Sequence, residues 1–190
     1  MHRRCIHIAA AALPPVADRA TYEAKRDFLL NGGTTEEWEK LETKKAIYNY
    51  MSAQSYVINE KLRKNTKLSE DDEKFVADLD KALKKMLTYE GNLQRSLLFY
   101  SDDDIPLFMK DYVVGEAVTY KEYLSTTNGD PYNPDGKVQI YIQDAKKGRD
   151  ITSLNEGESE VLYERNSSFM VRKIMENEGK IYILLEEYDE

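Results

Sequence analysis

The sequence predicts an α+β fold, with helices first and strands after, and three observations lead to it. Up to about Thr88 the apolar residues recur at three- and four-residue spacing. Beyond it, short β-branched and aromatic runs alternate with turn residues. The two patterns do not interleave, which disfavours repeated βαβ units.

Taken in order, Pro14-Pro15 closes an N-terminal tail, and a short helix is expected over Thr21 to Leu30, stopped by Asn31-Gly32-Gly33. Thr34 or Thr35 can cap a second helix whose first turn holds Glu36 and Glu37 against the positive dipole end. Trp38, Leu41, Lys45, Tyr48 and Ser52 fall on one face of it, with Ile47, Tyr50 and Met51 beside them. A third helix holds Tyr56, Ile58, Asn59, Leu62 and Arg63. Ser69, followed by acids, caps a fourth with Phe75, Leu79, Ala82, Leu83 and Met86 on its apolar face. Strand-like runs then cover Leu93 to Tyr100, Ala117 to Leu124, Val138 to Ile142, Val161 to Tyr163, Phe169 to Met175 and Lys180 to Tyr188. Turns at Asn128-Gly129, Pro134-Asp135-Gly136, Gly148 and Glu178-Gly179 divide them, and Asp103 to Tyr112 reads as one short helix.

The 190 residues, 41% hydrophobic and 11% aromatic, are enough for one core. The expected organisation is a tail over 1–18, for which the end of a preceding module is one reading, and a single domain over 19–190. Within that domain, 19–88 is a helical prelude and 89–190 a strand-rich core. A net charge of -8 argues against nucleic acid or an anionic membrane as partner. It leaves open a small anion held by one or two local arginines. The lone Cys5 excludes an intrachain disulfide, and no segment has the roughly 20 apolar residues of a membrane span. The start mimics a signal peptide but is read as non-secretory, for a cytoplasmic or virion-associated protein, with a secreted toxin as the other possibility.

Both histidines, His2 and His7, lie on the tail with Cys5. The folded body therefore has no histidine base for a nucleophilic triad, and the tail cluster is read as no metal site. Neither G-x-x-x-x-G-K-[ST] nor G-x-G-x-x-G occurs. What remains is Arg95 in N-L-Q-R-S-L-L-F-Y, Ser125-Thr126-Thr127 after Y-K-E-Y-L, and Glu158-x-Glu160 before Val161-Leu162. Alone, each is ordinary strand surface. In an extended strand Glu156, Glu158 and Glu160 share one face, where like charges repel.

Together, Q-R-S-L-L-F, Y-L-S-T-T and E-S-E-V-L resemble the mono-ADP-ribosyltransferases of the arginine–serine–glutamate class. The resemblance covers about residues 89 to 188. The preceding helices, with Tyr56, Ile58, Asn59, Leu62 and Arg63 in a Y-x-I-N-x-x-L-R pattern, resemble the prelude of the C3-like and binary-toxin branch. They also resemble transferase domains fused to phage head-morphogenesis proteins. The chain departs from the family in having Ser96 where glycine is common, and no arginine in the loop that holds Tyr132, with Lys137 the nearest cation. No aromatic residue precedes E-x-E.

The resemblance implies helices ahead of a core of two packed, mainly antiparallel sheets, and NAD as a substrate. It implies that Arg95 pairs with phosphate oxygens, with Ser125, Thr126, Thr127 and Tyr132 also on the NAD side. Ser125 would fix the rotamer of Glu160, and Glu160 would stabilise the positive charge developing on the ribose. Glu158 would serve the acceptor, and a carboxylate there implies an arginine on a protein target. The rival expectation is a degenerate, non-catalytic transferase fold within a phage head protein.

Overall fold

The computed structural model describes residues 16–131, 133–154 and 159–189. The chain divides into two compact units between Leu41 and Glu42. The first holds α1 (Val16–Leu30) and the opening of α2 (Thr35–Tyr50). α1 starts earlier than Thr21, directly after the Pro14-Pro15 pair. Thr34 caps α2 reciprocally: its Oγ1 accepts from Glu37 N at 3.2 Å and its N–H donates to Glu37 Oε2 at 2.8 Å. Phe28 and Trp38 meet with ring centroids 5.5 Å apart.

The second unit begins within α2, where the buried residues are Ala46, Ile47 and Tyr50. The expected stripe through Leu41 and Tyr48 is exposed. The sequence offered two apolar stripes, and the one with Ile47 faces the core. α3 (Gln54–Arg63) and α4 (Glu70–Leu83) complete the helical layer. Ser69 and Asp72 form a full capping box at α4, and Lys61 of α3 pairs with Asp72 at 2.6 Å. Ile47, Tyr50, Ile58, Leu79 and Leu83 pack with Tyr123, Ile151 and Leu162 from the strand half.

The strands are β1 (Gly91–Leu97), β2 (Ala117–Tyr120), β3 (Leu124–Thr127), β4 (Val138–Ala145), β5 (Arg149–Asp150), β6 (Glu160–Tyr163), β7 (Ser167–Asn177) and β8 (Lys180–Tyr188), with α5 (Asp104–Met109) between β1 and β2. Their order is β2-β7-β8-β4-β1-β3-β6-β5, and every pair is antiparallel except β4–β8. The two expected sheets are joined into one ladder at a narrow seam, β1 to β3, registered through Gln94 and Thr127. Five strands lie on one side of this seam and three on the other. Leu124, Val161 and Tyr163 of the three-stranded side share one core with Leu93, Ile140, Ile142, Phe169, Val171, Ile183 and Leu185 of the other.

The run Ala117 to Leu124 is not one strand. It breaks at Lys121–Tyr123, where the chain passes from β2 at one edge to β3 beside the seam. Tyr123 causes the break. Its N–H donates to Asn59 Oδ1 at 3.2 Å, and its hydroxyl donates to Asp80 Oδ1 at 2.6 Å. Asp80 also receives Arg165 Nε at 2.9 Å, so α4 fastens both the entry to β3 and the β6–β7 turn. The β7–β8 hairpin has Glu178 and Gly179 at φ 51° and 73°, the paired positive values of a tight two-residue turn. The two-residue β5 and the short 3-10 turn Thr152–Leu154 had no sequence signal.

Gly136 is required by a close approach. Ser96 Oγ, at the end of β1, donates to Asn133 O and accepts from Gln139 Nε2 at 2.7 Å, and that amide also donates to Gly136 O at 2.7 Å. A Cβ at Gly136 would lie 2.6 Å from Leu97 O and 2.9 Å from Leu97 C, besides striking Ser96 Oγ. Gly136→Ala should therefore force the turn off β1 and cost about 1–3 kcal/mol. A lowered urea midpoint at unchanged slope checks this.

The buried tyrosines make the fold sensitive to alkali. Burial pushes Tyr50 and Tyr120 up from an ordinary 10.0 to about 12. Burial likewise pushes Tyr112, Tyr123 and Tyr163 up, aided by Tyr120, Asp80 and Glu187 respectively. Above pH 10 the unfolded chain loses these protons while the folded chain keeps them, so stability is full below pH 10 and falls as pH rises through it. Each tyrosine removes about 1.4 kcal/mol per pH unit in that window. Urea titrations at successive pH values should show a plateau to about pH 9.5 and a steep loss by pH 11. Constant stability to pH 11 would refute it.

Candidate functional site

The site is built on β3, Leu-Ser-Thr-Thr. Its alternation buries Leu124 and Thr126 and leaves Ser125 and Thr127 half-buried. Register sets Thr127 opposite Glu160 and Ser125 opposite Leu162, so Ser125, Thr127 and Glu160 share one face of the β3–β6 pair. Across the diagonal, Ser125 Oγ donates to Glu160 Oε1 at 2.6 Å. Glu160 is only 7% exposed, so this charge-assisted bond supports a carboxylate that water barely reaches.

Arg95 comes from β1 on the other side of β3. Half-buried, it donates from Nη1 to the Ser125 carbonyl at 2.6 Å. That is its one hydrogen bond among the described residues, out of the five N–H donors of the guanidinium fork. Ser125 thus joins a cation to an anion through its own two oxygens. A fixed positive charge lies on the β1 side of β3, and a shielded carboxylate lies on the β6 side.

The remaining predicted residues divide. Thr127 Oγ1 accepts from Gly129 N at 3.0 Å and shapes the turn after β3. The Gln94 amide donates to Gly129 O, and Asn128 N donates to Ser159 O at 3.0 Å, so this turn leans on the residue just before Glu160. Thr126 is not brought to the Ser125–Glu160 face. It is 4% exposed and its hydroxyl donates to Val161 O at 2.7 Å, a tie between β3 and β6. Glu156, Glu158 and Tyr132 lie outside the described residues, as do His2, Cys5 and His7. Among the described residues, no cluster of three or more His, Cys, Asp or Glu is placed to hold a metal.

Two helical residues join the site that the strand motifs did not indicate. Tyr50 of α2 is 4% exposed, and its phenol feels the opposing fields of Glu160 and Arg95 after the larger effects of burial and the Asn59 bond. Asn59 of α3 donates from Nδ2 to the Tyr50 phenol oxygen, Oη, at 3.2 Å and receives Tyr123 N on Oδ1. Tyr50 accepts there, which leaves its own proton to donate. Asn59 had a sequence signal, its place in I-N-x-x-L-R, whereas Tyr50 was one of 14 tyrosines without a distinguishing neighbour. Nearby, Glu122 is 9% exposed and accepts from Arg63 Nε at 2.7 Å.

Chemically, such a set can hold an anionic group at Arg95 and stabilise positive charge next to Glu160. The pattern that defines the ADP-ribosyltransferase exoenzyme family matches residues 31–189. The NAD(+)--protein-arginine ADP-ribosyltransferase Tre1 of Serratia proteamaculans is 28% identical over 144 residues, covering 75% of this chain and 31% of its own length. This chain therefore spans about a third of that relative. The C3 exoenzyme of Clostridium limosum superposes with a TM-score of 0.62 at 21% identity, covering 90% of this chain and 94% of that one. Exoenzyme S of Pseudomonas aeruginosa, in a complex with carba-NAD, gives a TM-score of 0.62 at 18% identity over 77% of this chain and 73% of that one. These structural likenesses concern the fold.

Proposed function

The chain belongs to the ADP-ribosyltransferase exoenzyme family, and we propose that it is an NAD-dependent mono-ADP-ribosyltransferase directed at arginine on a protein target. The observation that carries this reading is the hydrogen-bonded series Arg95–Ser125–Glu160 across three strands. The arginine preference draws on the name of the Serratia relative and on the E-x-E sequence, in which Glu158 precedes Glu160.

In this reading NAD is a substrate. The bond between nicotinamide and ribose breaks, its electron pair leaves with the nicotinamide nitrogen, and the sugar gains oxocarbenium character. Arg95 supplies the uncommitted donors of its planar fork to phosphate oxygens. Glu160 accepts from the ribose 2′-hydroxyl and stabilises the cationic sugar, as in glycoside hydrolysis. Ser125 is a positioning residue that fixes the Glu160 rotamer, and Thr126 holds β3 to β6 beneath it. Buried Tyr50 and half-buried Asn59 form a polar wall, with the Tyr50 proton available to a substrate oxygen. Thr127 belongs to the turn side of the same site, and Tyr132 is assigned to NAD by the sequence resemblance alone. Glu158 orients the acceptor guanidinium and takes the proton it loses when its nitrogen bonds to ribose C1′.

A second reading is a non-catalytic transferase-fold module within a phage head protein. One observation favours it: the 128–137 turn carries no arginine, and its lysine, Lys137, is paired with Asp102. The two separate in one experiment with labelled NAD and agmatine, a small guanidine. Transfer to agmatine and nicotinamide release are expected for the wild type. Glu160→Gln should lose about 100-fold or more in kcat with NAD binding retained. Arg95→Ala should weaken NAD binding about 10- to 100-fold. NAD binding without release or transfer would favour the non-catalytic module, and loss of both would remove the transferase reading.

A further inference from the structure

The 98–116 segment between β1 and β2 has two unlike sides. Its inner side is firmly anchored: Phe99, Ile105, Phe108 and Met109 pack against the main core around buried Tyr112. The rings of Phe99 and Phe108 meet at 5.4 Å, and those of Phe108 and Tyr112 at 4.9 Å. Its outer side presents Leu98 and Leu107, each 63% exposed, Tyr100 fully exposed, and Val113 and Val114 about half exposed. Single exposed apolar residues need no explanation, but five on one short, anchored segment do. Among them stand five exposed acids, Asp102, Asp103, Asp104, Asp111 and Glu116, against one lysine, Lys110.

We propose that this outer side docks the protein acceptor, through a surface on which arginine is mixed with apolar side chains. The inference rests on the arginine-directed reading above. Charge selects the occupant: with Asp102 paired to Lys137, the other four acids still outnumber Lys110, and that surplus favours a cationic partner and repels anionic lipid or nucleic acid. A second copy of this chain would set two acidic faces against each other. Position selects it too. β1 ends at Leu97, three residues beyond Gln94, while Gln94 pairs with Thr127 and Thr127 with Glu160. Leu97 is thus about 10 Å along the strands and about 10 Å across them from Glu160. A typical interface patch of about 800 Å² has a radius of about 16 Å, so one partner can cover both. The segment is also tied to the site physically. Asp102 pairs with Lys137 at the end of the turn that holds Ser96, and the Tyr112 phenol lies in the field of Arg95. A small guanidine needs the Glu160 site alone, whereas a protein arginine arrives with its neighbours on this face.

The test uses the full chain, a fluorescent synthetic peptide of alternating arginine and leucine, and agmatine. The variant Leu98→Ser/Tyr100→Ser/Leu107→Ser changes exposed positions outside the catalytic set. It should bind the peptide at least about tenfold more weakly and raise the peptide KM in parallel. Its agmatine transfer and NAD cleavage should equal those of the wild type. Asp103→Asn/Asp104→Asn/Asp111→Asn should weaken peptide binding and flatten its salt dependence. Equal peptide binding by wild type and variants, or none by the wild type, overturns the proposal. So does retention on phosphatidylcholine vesicles, or a sedimenting dimer, that the apolar variant abolishes, since either gives the face another occupant. Peptide binding is read without turnover, so it decides the docking even where agmatine transfer fails and the transferase reading falls.

Discussion

The arrangement depends on one residue that bonds in two directions. Ser125 offers its carbonyl to Arg95 and its hydroxyl to Glu160, so opposite charges are coupled without touching. Direct contact would satisfy both groups and leave neither for a ligand. Complete separation would leave Glu160, at 7% exposure, as a poorly supported buried carboxylate. An intervening serine avoids both outcomes, and it requires β3 to lie between β1 and β6. The strand order satisfies that requirement at its narrowest place, the seam where Gln94 meets Thr127.

A four-residue strand cannot hold such a position alone, since short isolated pairings are marginal in water. Its neighbours supply the constraint, each through a hydrogen bond with a net value of about 1 kcal/mol. Tyr123 fixes the entry from two helices, by Asn59 to its N–H and Asp80 to its hydroxyl. Thr126 ties the middle to Val161 O, and Thr127 takes the N–H of Gly129 at the exit. Tyrosine suits this task because one ring fills core volume while its tip reaches a polar partner. Tyr123, Tyr163 and the Tyr112–Tyr120 pair each do so, and this accounts for much of an otherwise odd composition.

The sequence made some of this legible and hid the rest for definable reasons. The capping residues Thr34 and Ser69 were readable because capping is local chemistry. Arg95, Ser125 and Glu160 were readable only as an ordered set, since each alone resembles strand surface. The division of Ala117 to Leu124 was not readable. Its cause is a half-buried partner of Tyr123 that lies 43 residues away in α4. Thr126 and Ser125 look alike as letters, yet strand alternation sends one hydroxyl to a backbone carbonyl and the other to the carboxylate. Tyr50 became visible only when α2 and α3 were set against β3, because its relation to Asn59 spans two helices.

The acidic balance fits this division of charge. A net charge of -8 disfavours a dinucleotide at long range, but the Debye length of about 8 Å confines that penalty to the neighbourhood of each acid. Inside the site the fixed cation bonded to Ser125 is Arg95, half-buried and with most of its donors uncommitted among the described residues. A local guanidinium in a partly desolvated setting outweighs distant, screened carboxylates, because Coulomb energy rises as distance and effective dielectric fall. The same surplus acts in the opposite sense on a cationic acceptor, which gains from every exposed acid it approaches. In the proposed reading, a surface that attracts guanidinium and a site that holds phosphate at Arg95 can therefore coexist in one acidic chain. On that reading, disfavoured polyanions and one favoured small anion follow from the same physics at two distances.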